Sequence, residues 1–411
     1  MQKTQAHTLD NALALLLAQV KPNRYLETVA LEQAIGRILA ADLVSPVDVP
    51  PANNSQMDGY AVRSVDCATV GAVLHISQRI PAGRPSSERL HAGQAARIFT
   101  GAFMPAGADA VVMQELCTAN GDTLTVNEAV KADQWVRTQG CDVALGATVL
   151  PAGTRITPVA LGLLASVGMA TVQVHKQLTV GLMCTGDELT APGQPLPLGH
   201  IYNSNRPMLR ALLQGLGCTV IDSGDIPDTL PATTAALADL AARCDVVVST
   251  GGVSVGEEDH VKAAVQAQGS LDLWSLAIKP GKPFAFGTLN HKNGQTPFLG
   301  LPGNPVSALV TFWLLVRPFV LASAGAKTAT SSSTGLPQAI PVKAAFEWHA
   351  DRRREFLRAR LNSAGAVELF GNQNSGVLTS AAWGDGLVDV AIGQKIVAGD
   401  TVAYIPFTAL Q

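Results

Sequence analysis

The sequence predicts a multi-domain α/β plus β protein, in which a central doubly wound α/β domain is flanked by small β-rich modules and a C-terminal β barrel or sandwich. Two observations predict this class. Between residues 178 and 325, buried strand-like runs alternate with amphipathic stretches of helical period. On either side of that segment, short apolar runs are separated by Gly, Pro, Asn and Asp, a pattern typical of small antiparallel β domains.

The first module is expected to combine residues 1–57 with 143–177 into a helical and extended domain. Thr8 stands before LDNALALLLAQV, which predicts a capped amphipathic helix, and a second short helix is expected over 31–41. The stretch TPVALGLLASVG at 157–168 predicts one more helix, which returns the chain toward the core.

Two further modules are expected to be rich in β-structure. Residues 58–142 predict a small inserted β domain, because AVLHIS, ARIFTG, DAVVMQE and DTLTVN are short runs bounded by turn residues. The small polar stretch 325–335 indicates a linker. Residues 326–411 then predict the C-terminal β domain, since IPVKAAFEW, EFLRARL, AVELF, LVDVAI and DTVAYIPF are again short strand-like runs.

In the central segment, three loops follow apolar runs that read as buried parallel strands: CTGDEL at 184–189, STGGVSVG at 249–256 and GLPGNP at 300–305. Because the carboxyl ends of parallel strands meet at one edge of a sheet, we expect these loops to lie together, where open α/β folds bind ligands. The glycines of the second loop let the backbone turn its N–H groups toward an anion, so this loop predicts a phosphate cradle.

Charged residues collect at the same predicted edge. The acids lie just beyond the strand ends: Asp187, Glu188, Asp225, Asp228, Glu257, Glu258 and Asp259. Lys279 and Lys282 stand in the nearby KPGKP loop. Carboxylates alone would repel phosphate, so the combination suggests a phosphorylated ligand with a divalent cation. Any single acid has a plainer interpretation as a helix cap, for which Asp259 before VKAAVQAQ is an example.

Composition excludes several classes of function. The 411 residues are 47% hydrophobic, carry a formal net charge of −3 and contain no long Lys/Arg run, so neither nucleic acid nor a membrane surface is expected as a partner. The 6 cysteines are far apart with no CxxC pair, and the first residues lack a signal-peptide pattern, which indicates a reduced cytoplasmic setting. The apolar run 309–316 is too short to span a bilayer and predicts a buried helix.

Several motifs together resemble those of one known family. They are NNSQMDGYAVRS, RIFTGAFMPAGADAVVMQE, LPAGTRITP, CTGDEL, STGGVSVGEEDHVK, LAIKPGKPFAFG and LGLPGNPVSA, with GNQNSGVLTS at 371–380 as a weaker match. In this order they resemble the MoeA-like molybdopterin molybdenumtransferases of molybdenum cofactor biosynthesis, and they are similar to the C-terminal domain of gephyrin. The resemblance covers nearly the whole chain and implies that 178–325 is an α/β molybdopterin-binding domain.

The resemblance implies a reaction in which molybdate is ligated to the dithiolene of adenylylated molybdopterin and AMP is released. It implies Mg²⁺ as the cofactor, adenylylated molybdopterin and molybdate as the ligands, and a homodimer whose active site is shared between subunits. Other cofactor-biosynthesis proteins are possible partners. By resemblance, Asp58 and Thr100 are expected to serve the central domain of the partner chain.

The resemblance also assigns individual residues. It implies catalytic roles for Asp58, Thr100, Asp142, Glu188, Asp228 and Asp259. Asp228 and Asp259 are the expected ligands of Mg²⁺. Substrate binding is expected from Thr250, Gly251, Gly252, Ser254, Gly256, Lys279, Lys282, Pro302, Pro305 and Ser375. By local chemistry alone, Asp58 before Gly59 and Thr100 before Gly101 are turn residues, so their functional roles depend on the resemblance.

The chain departs from the family pattern at a few positions. Ser275 stands where members often carry a lysine, which removes one cation from the expected anion site. Thr229 and His260 replace a common acid and a common tyrosine, but the acids before them are kept. Asn374 replaces the usual glycine before Ser375, so the backbone is expected to differ there.

Two other functions remain open at the level of sequence. A molybdopterin adenylyltransferase has a similar Gly-rich loop, but the flanking modules and the MDGYAV motif are not expected in one. A gephyrin-type scaffold that binds a peptide would normally carry a fused domain and a long linker, which this sequence does not show.

Overall fold

The computed structural model describes residues 7–252, 260–327 and 336–410. At its centre is a sheet of six strands in the spatial order β2-β1-β3-β6-β5-β4. The strands are β1 Thr179–Thr185, β2 Thr219–Ile226, β3 Val246–Thr250, β4 Gly269–Ser275, β5 Pro283–His291 and β6 Gly294–Leu301. Strands β2, β1, β3 and β6 are parallel, as the buried apolar runs predicted. The part of the sheet formed by its last three strands in sequence differs from the predicted doubly wound arrangement. These strands, β4, β5 and β6, form an antiparallel meander with no helix between them.

Helices cover both faces of this sheet. They are α1 Leu9–Ala18, α2 Asn205–Gly215, α3 Leu230–Arg243, α4 His260–Gln268 and α5 Pro305–Ser323. Side chains of α1, α2 and α5 share a core with Val246 and Val248 of β3, whereas α3 and α4 share one with Val247. Successive side chains of one strand therefore bury on opposite faces, which explains its continuous apolar sequence. The predicted cap of α1 is confirmed, since the Thr8 hydroxyl accepts a hydrogen bond from the Asn11 N–H at 3.3 Å.

The helix α5 begins directly at the GLPGNP loop and passes through the core. It contains a π-helical turn at Phe312–Val316, and its apolar side chains meet the sheet, α1 and α2. Within the described ranges, α5 is the one helix that is long and apolar enough to cross a membrane, but 89% of its most apolar window is buried inside the protein. The prediction of a buried core helix over 309–316 is confirmed.

The N-terminal region is mainly extended. Strand Leu26–Ala30 pairs with Thr171–His175, and the predicted helix near 157–168 is confirmed as Pro158–Ser166. Short pairs join Leu43–Val44 to Thr148–Leu150 and Asn54–Ser55 to Val136–Arg137.

The expected helix over 31–41 is wrong. Only Leu31–Gln33 is helical, as a single 3₁₀ turn. Gly36 then adopts a left-handed φ of 74°, and Ile38 and Leu39 form β-bridges to Arg155 and Val174. Pairing with the chain that returns from the inserted domain replaces the local helical preference.

The inserted domain is built on a second six-stranded sheet. In spatial order its strands are Ala110–Met113, Gly59–Val62, Gln94–Ile98, Ala72–Ile80, Thr123–Val126 and Cys117–Asn120. All neighbours are antiparallel except Ala72–Ile80 and Gln94–Ile98, which are parallel. Short 3₁₀ helices cover Ser64–Cys67 and Gln114–Leu116. Gly59 lies so close to its neighbour that an added Cβ would stand 1.8 Å from the Val112 carbonyl oxygen, so this position of the MDGY motif requires glycine.

The C-terminal region contains a third six-stranded sheet. Its path runs through Ile278–Lys279, Arg354–Leu361, Gly386–Val390, Thr401–Pro406 and Ile340–Lys343, and Val367–Leu369 also pairs with Arg354–Leu361. A single bridge joins Ala344, beyond the last strand, to Val367. Because Ile278–Lys279 belongs to the central segment, this sheet fastens the C-terminal region to the central domain. The smaller elements are the pairs Leu189–Thr190 with Ile201–Tyr202 and Trp348–His349 with Lys395–Ile396, and the helices Thr379–Trp383 and Phe407–Leu410.

Candidate active site

A cleft of about 670 Å³ opens at the carboxyl edge of the central sheet, and the ends of β1, β3 and β6 meet there. It is lined by Thr185, Gly186, Glu188, Leu189, Ile201, Asn203, Asn205, Asp228, Thr250, Gly251, Gly252, Pro283, Pro302, Gly303, Asn304, Pro305 and Ser307. The prediction that the three loops gather at one edge is confirmed. Among the predicted site residues, the structure brings together Glu188, Asp228, Thr250, Gly251, Gly252, Pro302 and Pro305.

A buried amide ties two of these loops to the start of α2. The Asn205 Nδ2 donates to Thr250 Oγ1 at 3.0 Å and to the Gly303 carbonyl at 2.7 Å. Thr250 Oγ1 in turn donates to the Pro302 carbonyl at 2.9 Å. Thr250 therefore connects the loops, and its hydroxyl hydrogen already forms a hydrogen bond within the protein.

Asn205→Ala is expected to destabilise the protein by about 2 kcal/mol, because it removes the buried amide that donates to Thr250 Oγ1 and to the Gly303 carbonyl. The same change should also weaken the connection between the loops that line the cleft, so we expect activity to fall by more than the loss of stability explains. Denaturant unfolding and steady-state kinetics measure the two effects. Asn290→Ala is the control, since Asn290 is exposed on β5 and should leave both quantities unchanged; equal behaviour of the two variants would contradict the role of Asn205.

Two carboxylates face this cleft. Glu188 is exposed beyond the end of β1, and Asp228 is half-buried, with its N–H donating to Asp187 Oδ1 at 3.2 Å. Gly186 has a φ of 146°, and an added Cβ would stand 2.6 Å from Glu188 Oε2, so the glycine of CTGDEL makes room for this carboxylate. Asp225 has a different environment, because it forms a 2.6 Å ion pair with Arg206.

Arg206 also binds Asp222, and hydrogen bonding to this carboxylate raises the pKa of the guanidinium despite partial burial. Asp222 and Asp225 thus pair with Arg206, whereas Glu188 and Asp228 are the acidic side chains among the described residues that line the cleft. Within the described ranges, no group of three or more His, Cys, Asp or Glu side chains is arranged to hold a metal ion.

Three predicted site residues, Ser254, Gly256 and Asp259, lie outside the described residues, as do the neighbouring acids Glu257 and Glu258. The helix-cap interpretation of Asp259 is outside them as well. Their roles stay predictions. The described part of this loop ends at Gly252, whose φ of 64° follows 88° at Gly251.

The two lysines of the KPGKP loop have different surroundings. Lys279 Nζ lies 3.1 Å from Glu355 Oε1, and Glu355 is buried and also accepts a hydrogen bond from Trp348 Nε1. Lys282 is exposed and precedes Pro283, which lines the cleft. Neither lysine lines the cleft itself, so their anion-binding roles stay predictions.

Ser375 reaches the rim of the cleft from the C-terminal region. Its Oγ accepts a hydrogen bond from Asn304 Nδ2 at 3.1 Å, and its carbonyl accepts one from the Val306 N–H at 3.0 Å. It thus closes the first turn of α5 next to a residue that lines the cleft.

Asp58 and Thr100 form one unit in the inserted domain. Asp58 Oδ1 accepts hydrogen bonds from both the N–H and the Oγ1 of Thr100, each at 2.7 Å. These bonds, chiefly the one from the Thr100 N–H, hold the pKa of the Asp58 carboxyl below its ordinary value. Arg97 supports the pair by donating to the Gly59 carbonyl at 2.8 Å and by lying over the Phe99 ring. Asp58 and Thr100 are exposed and are not among the residues that line the cleft of the same chain.

Asp142 is also exposed and away from that cleft, with its N–H bound to the Val49 carbonyl at 3.0 Å. The structure places it on the segment that joins the inserted domain to the N-terminal region. Its functional role stays a prediction.

Sequence reasoning missed the amides of the cleft: Asn203, Asn205 and Asn304. The signal for the first two was YNSN at 202–205, where polar residues stand directly before the apolar period of α2. Such residues usually indicate only a helix cap. Cys184, in contrast, is buried at 6% exposure, and burial raises the pKa of its thiol to about 12, in agreement with a core residue.

Models of three protein regions match this chain. The MoeA N-terminal region (domain I and II) matches residues 7–168, a probable molybdopterin binding domain matches 181–322, and the MoeA C-terminal region (domain IV) matches 341–407. Together these matches extend over all the modules that surround the cleft.

Individual proteins are similar over most of their length. A molybdopterin molybdenumtransferase of Haemophilus influenzae is 46% identical over 321 residues, which cover 78% of each chain. One of a Nostoc species is 34% identical over 398 residues, which cover 94% of this chain and 90% of that protein. A crystal structure of the molybdopterin biosynthesis MoeA protein from Pyrococcus horikoshii has a TM-score of 0.81 at 27% identity, covering 97% of this chain and 99% of that one.

Proposed function

The chain belongs to the MoeA-like family of molybdopterin molybdenumtransferases, which insert molybdenum in molybdenum cofactor biosynthesis, and from this premise we propose the reaction of its cleft. The protein ligates molybdate to the dithiolene sulfurs of adenylylated molybdopterin and releases AMP. The observation that carries this proposal is the meeting of Glu188 and Asp228 with the glycine turn after Thr250 in one cleft.

The glycine turn binds the phosphate part of the substrate. Gly251 has a left-handed φ, and an added Cβ would stand 2.7 Å from the Thr185 carbonyl oxygen, so the backbone reaches this position only without a side chain. Successive N–H groups in such a turn form an anion-binding concavity. The Asn205 and Thr250 hydrogen bonds fix the turn before substrate arrives, which lowers the cost of ordering it on binding.

The residues of the cleft fit Mg²⁺. Glu188 and Asp228 supply hard carboxylate oxygens, and Mg²⁺ is commonly held by one or two carboxylates together with water and substrate phosphate. When bound, the ion would neutralise charge on the phosphoanhydride. Asn205, which lines the cleft, also has a buried Oδ1 atom that lacks a hydrogen-bond partner among the described residues. Asp259 is proposed as a further ligand.

The inserted domain is proposed to complete the site of a second subunit in a homodimer. Asp58 and Thr100 are preorganised by two hydrogen bonds, yet they do not line the cleft of their own chain. A pair that is exposed and held with its carboxylate ionised is suited to contact substrate across an interface.

We place the protein in the cytoplasm, with other cofactor-biosynthesis proteins as possible donors or acceptors of the pterin.

For the C-terminal region we propose a small barrel. The bridge from Ala344 to Val367 supports closure of the C-terminal sheet into this shape.

The proposal is tested by incubating the purified protein with adenylylated molybdopterin, molybdate and Mg²⁺. Release of AMP and formation of cofactor that reconstitutes an apo-molybdoenzyme are expected, and both should depend on molybdate. Formation of adenylylated molybdopterin from ATP would instead favour an adenylyltransferase. Absence of AMP release under every metal condition would reject the proposed reaction.

A further inference from the structure

Two arginines lie side by side on one face of the inserted domain. Arg79 and Arg97 are register partners on the two parallel strands of its sheet. Side chains at paired positions share a face, and like charges there repel each other. An anion bound beside this pair would therefore relieve a repulsion that the fold itself imposes.

One aromatic ring contacts both guanidinium groups. The Cζ atoms of Arg79 and Arg97 lie 4.7 Å and 4.5 Å from the centroid of the Phe99 ring, where the ring attracts cations. Phe99 directly precedes Thr100, which donates to Asp58. The ring that holds the arginines thus belongs to the loop that carries the proposed cross-subunit contact.

The two guanidinium groups differ in their hydrogen bonds. Arg97 is bound within the domain, because it donates to the Gly59 carbonyl at 2.8 Å and to Gln114 Oε1 at 2.5 Å. Arg79 is exposed, and its guanidinium has neither an ion pair nor a hydrogen bond within the ranges that the structure describes. Its N–H groups are therefore available to a ligand.

Arg79 also lines a groove of about 470 Å³. Arg84, Ser77 and Ser87 line the same groove, and Glu88 is its one acid among the described residues. The arginines outnumber the acid, so the groove is positively charged, and its guanidinium and hydroxyl groups are suited to bind the oxygens of a phosphate.

The cleft of the central domain lacks such a group. No lysine or arginine is among the described residues that line it. Glu188 and Asp228 add their negative charge to that of a bound phosphoanhydride, and a single divalent cation leaves the sum negative. A further cation is needed, and the inserted domain of the second subunit is the part of the protein that is proposed to approach this cleft.

We infer that Arg79 binds the phosphate of the adenylyl group of a substrate held in the cleft of the second subunit, with Phe99 and Arg97 keeping its guanidinium in place. This inference rests on the proposed function for the identity of the ligand and for the shared site. It makes Arg79 a substrate-binding residue, next to the Asp58 and Thr100 pair of the same chain.

The test places Arg79→Met in a chosen chain of a mixed dimer. One chain carries Asp228→Asn, so the active cleft is that of the other chain, and the inserted domain of the Asp228→Asn chain completes it. Adding Arg79→Met to the Asp228→Asn chain should raise the KM for adenylylated molybdopterin on the order of tenfold, with little change in kcat. The same substitution in the chain with the active cleft should leave KM unchanged.

Two further variants serve as controls. Arg89→Met should change nothing in either chain, because Arg89 is an exposed arginine of the same domain that does not line the groove. Arg79→Lys keeps the charge without the planar fork, so KM should stay within about threefold of the unchanged protein. A KM that rises with Arg79→Met only in the chain with the active cleft, equally in both placements, or in neither would overturn the inference.

Binding of AMP gives a readout that does not depend on turnover. With Arg79→Met in both chains and Asp228 intact, calorimetry should show a Kd for AMP raised on the order of tenfold. If AMP binding depends on Arg79 in this way but no AMP is released from adenylylated molybdopterin, the proposed reaction fails and the phosphate-binding role stands. Turnover with a KM and an AMP affinity that ignore Arg79 would support the reaction and reject the role of Arg79.

Discussion

Asp228→Asn is expected to lower the rate of AMP release by about 100-fold or more, with little change in stability. Asparagine has the size of aspartate and keeps the backbone N–H that donates to Asp187. The change removes one of the two carboxylates that the described cleft offers, while the half-exposed position limits its effect on folding. The measurement is single-turnover AMP release at saturating adenylylated molybdopterin, together with the melting temperature.

Asp239→Asn provides the matched control for this substitution. Asp239 is exposed on α3 and pairs with Arg243 one turn away, so the same chemical change occurs on the same domain outside the cleft. Its activity should equal that of the unchanged protein. An Asp228→Asn variant that retains more than about a third of the activity would show that the cleft is assigned to the wrong carboxylates.

The second large effect concerns two inactive variants that restore activity together. Asp58→Asn and Asp228→Asn are each expected to be inactive as homodimers. When both chains are co-expressed, random pairing makes about half of the dimers mixed, and one of the two sites in each mixed dimer has Asp58 and Asp228 intact. About a quarter of the full activity should therefore return.

Differently tagged chains allow the mixed dimer to be isolated, in which about half of the full activity per dimer is expected. Two variants altered at Asp228 and Glu188, which lie in one cleft, form the control pair and should not complement each other. If mixed dimers of Asp58→Asn and Asp228→Asn stay inactive, Asp58 and Asp228 act in the site of the same chain. If Asp58→Asn is active as a homodimer, Asp58 has no part in the reaction.

Sequence pattern predicted the part of the fold in which local and tertiary preferences agree. The segments VGLM, VVV and FL, which directly precede CTGDEL, STGG and GLPGNP, contain only apolar residues and glycine, and they are buried in the parallel strands with side chains on both faces of the sheet. The helix expected over 31–41 failed because Gly36 ends the 3₁₀ turn and the next residues pair with distant chain. The meander of β4 and β5 was also missed, since an apolar run does not reveal the direction of its neighbour.

The residues of the candidate site were also predicted only in part. Glycines and acids at strand ends indicated the cleft, because their positions in sequence and in space coincide. Lys279 was expected at an anion but lies against Glu355, an acid 76 residues further along the chain. Asn205 gave a local signal only for a helix cap. Its importance arises from burial and from its partners Thr250 and Gly303, which are far away in sequence and which a pattern of neighbours does not contain.

The position of α5 in the chain has a consequence for biosynthesis. All six strands of the central sheet are complete by Leu301, whereas α5, which covers one face of them together with α1 and α2, begins at Pro305. A nascent chain therefore exposes the apolar surface that α5 will cover until the segment up to Ser323 has left the ribosome. Premature termination within that interval produces a fragment that lacks α5, and such an exposed apolar surface binds chaperones and aggregates in their absence.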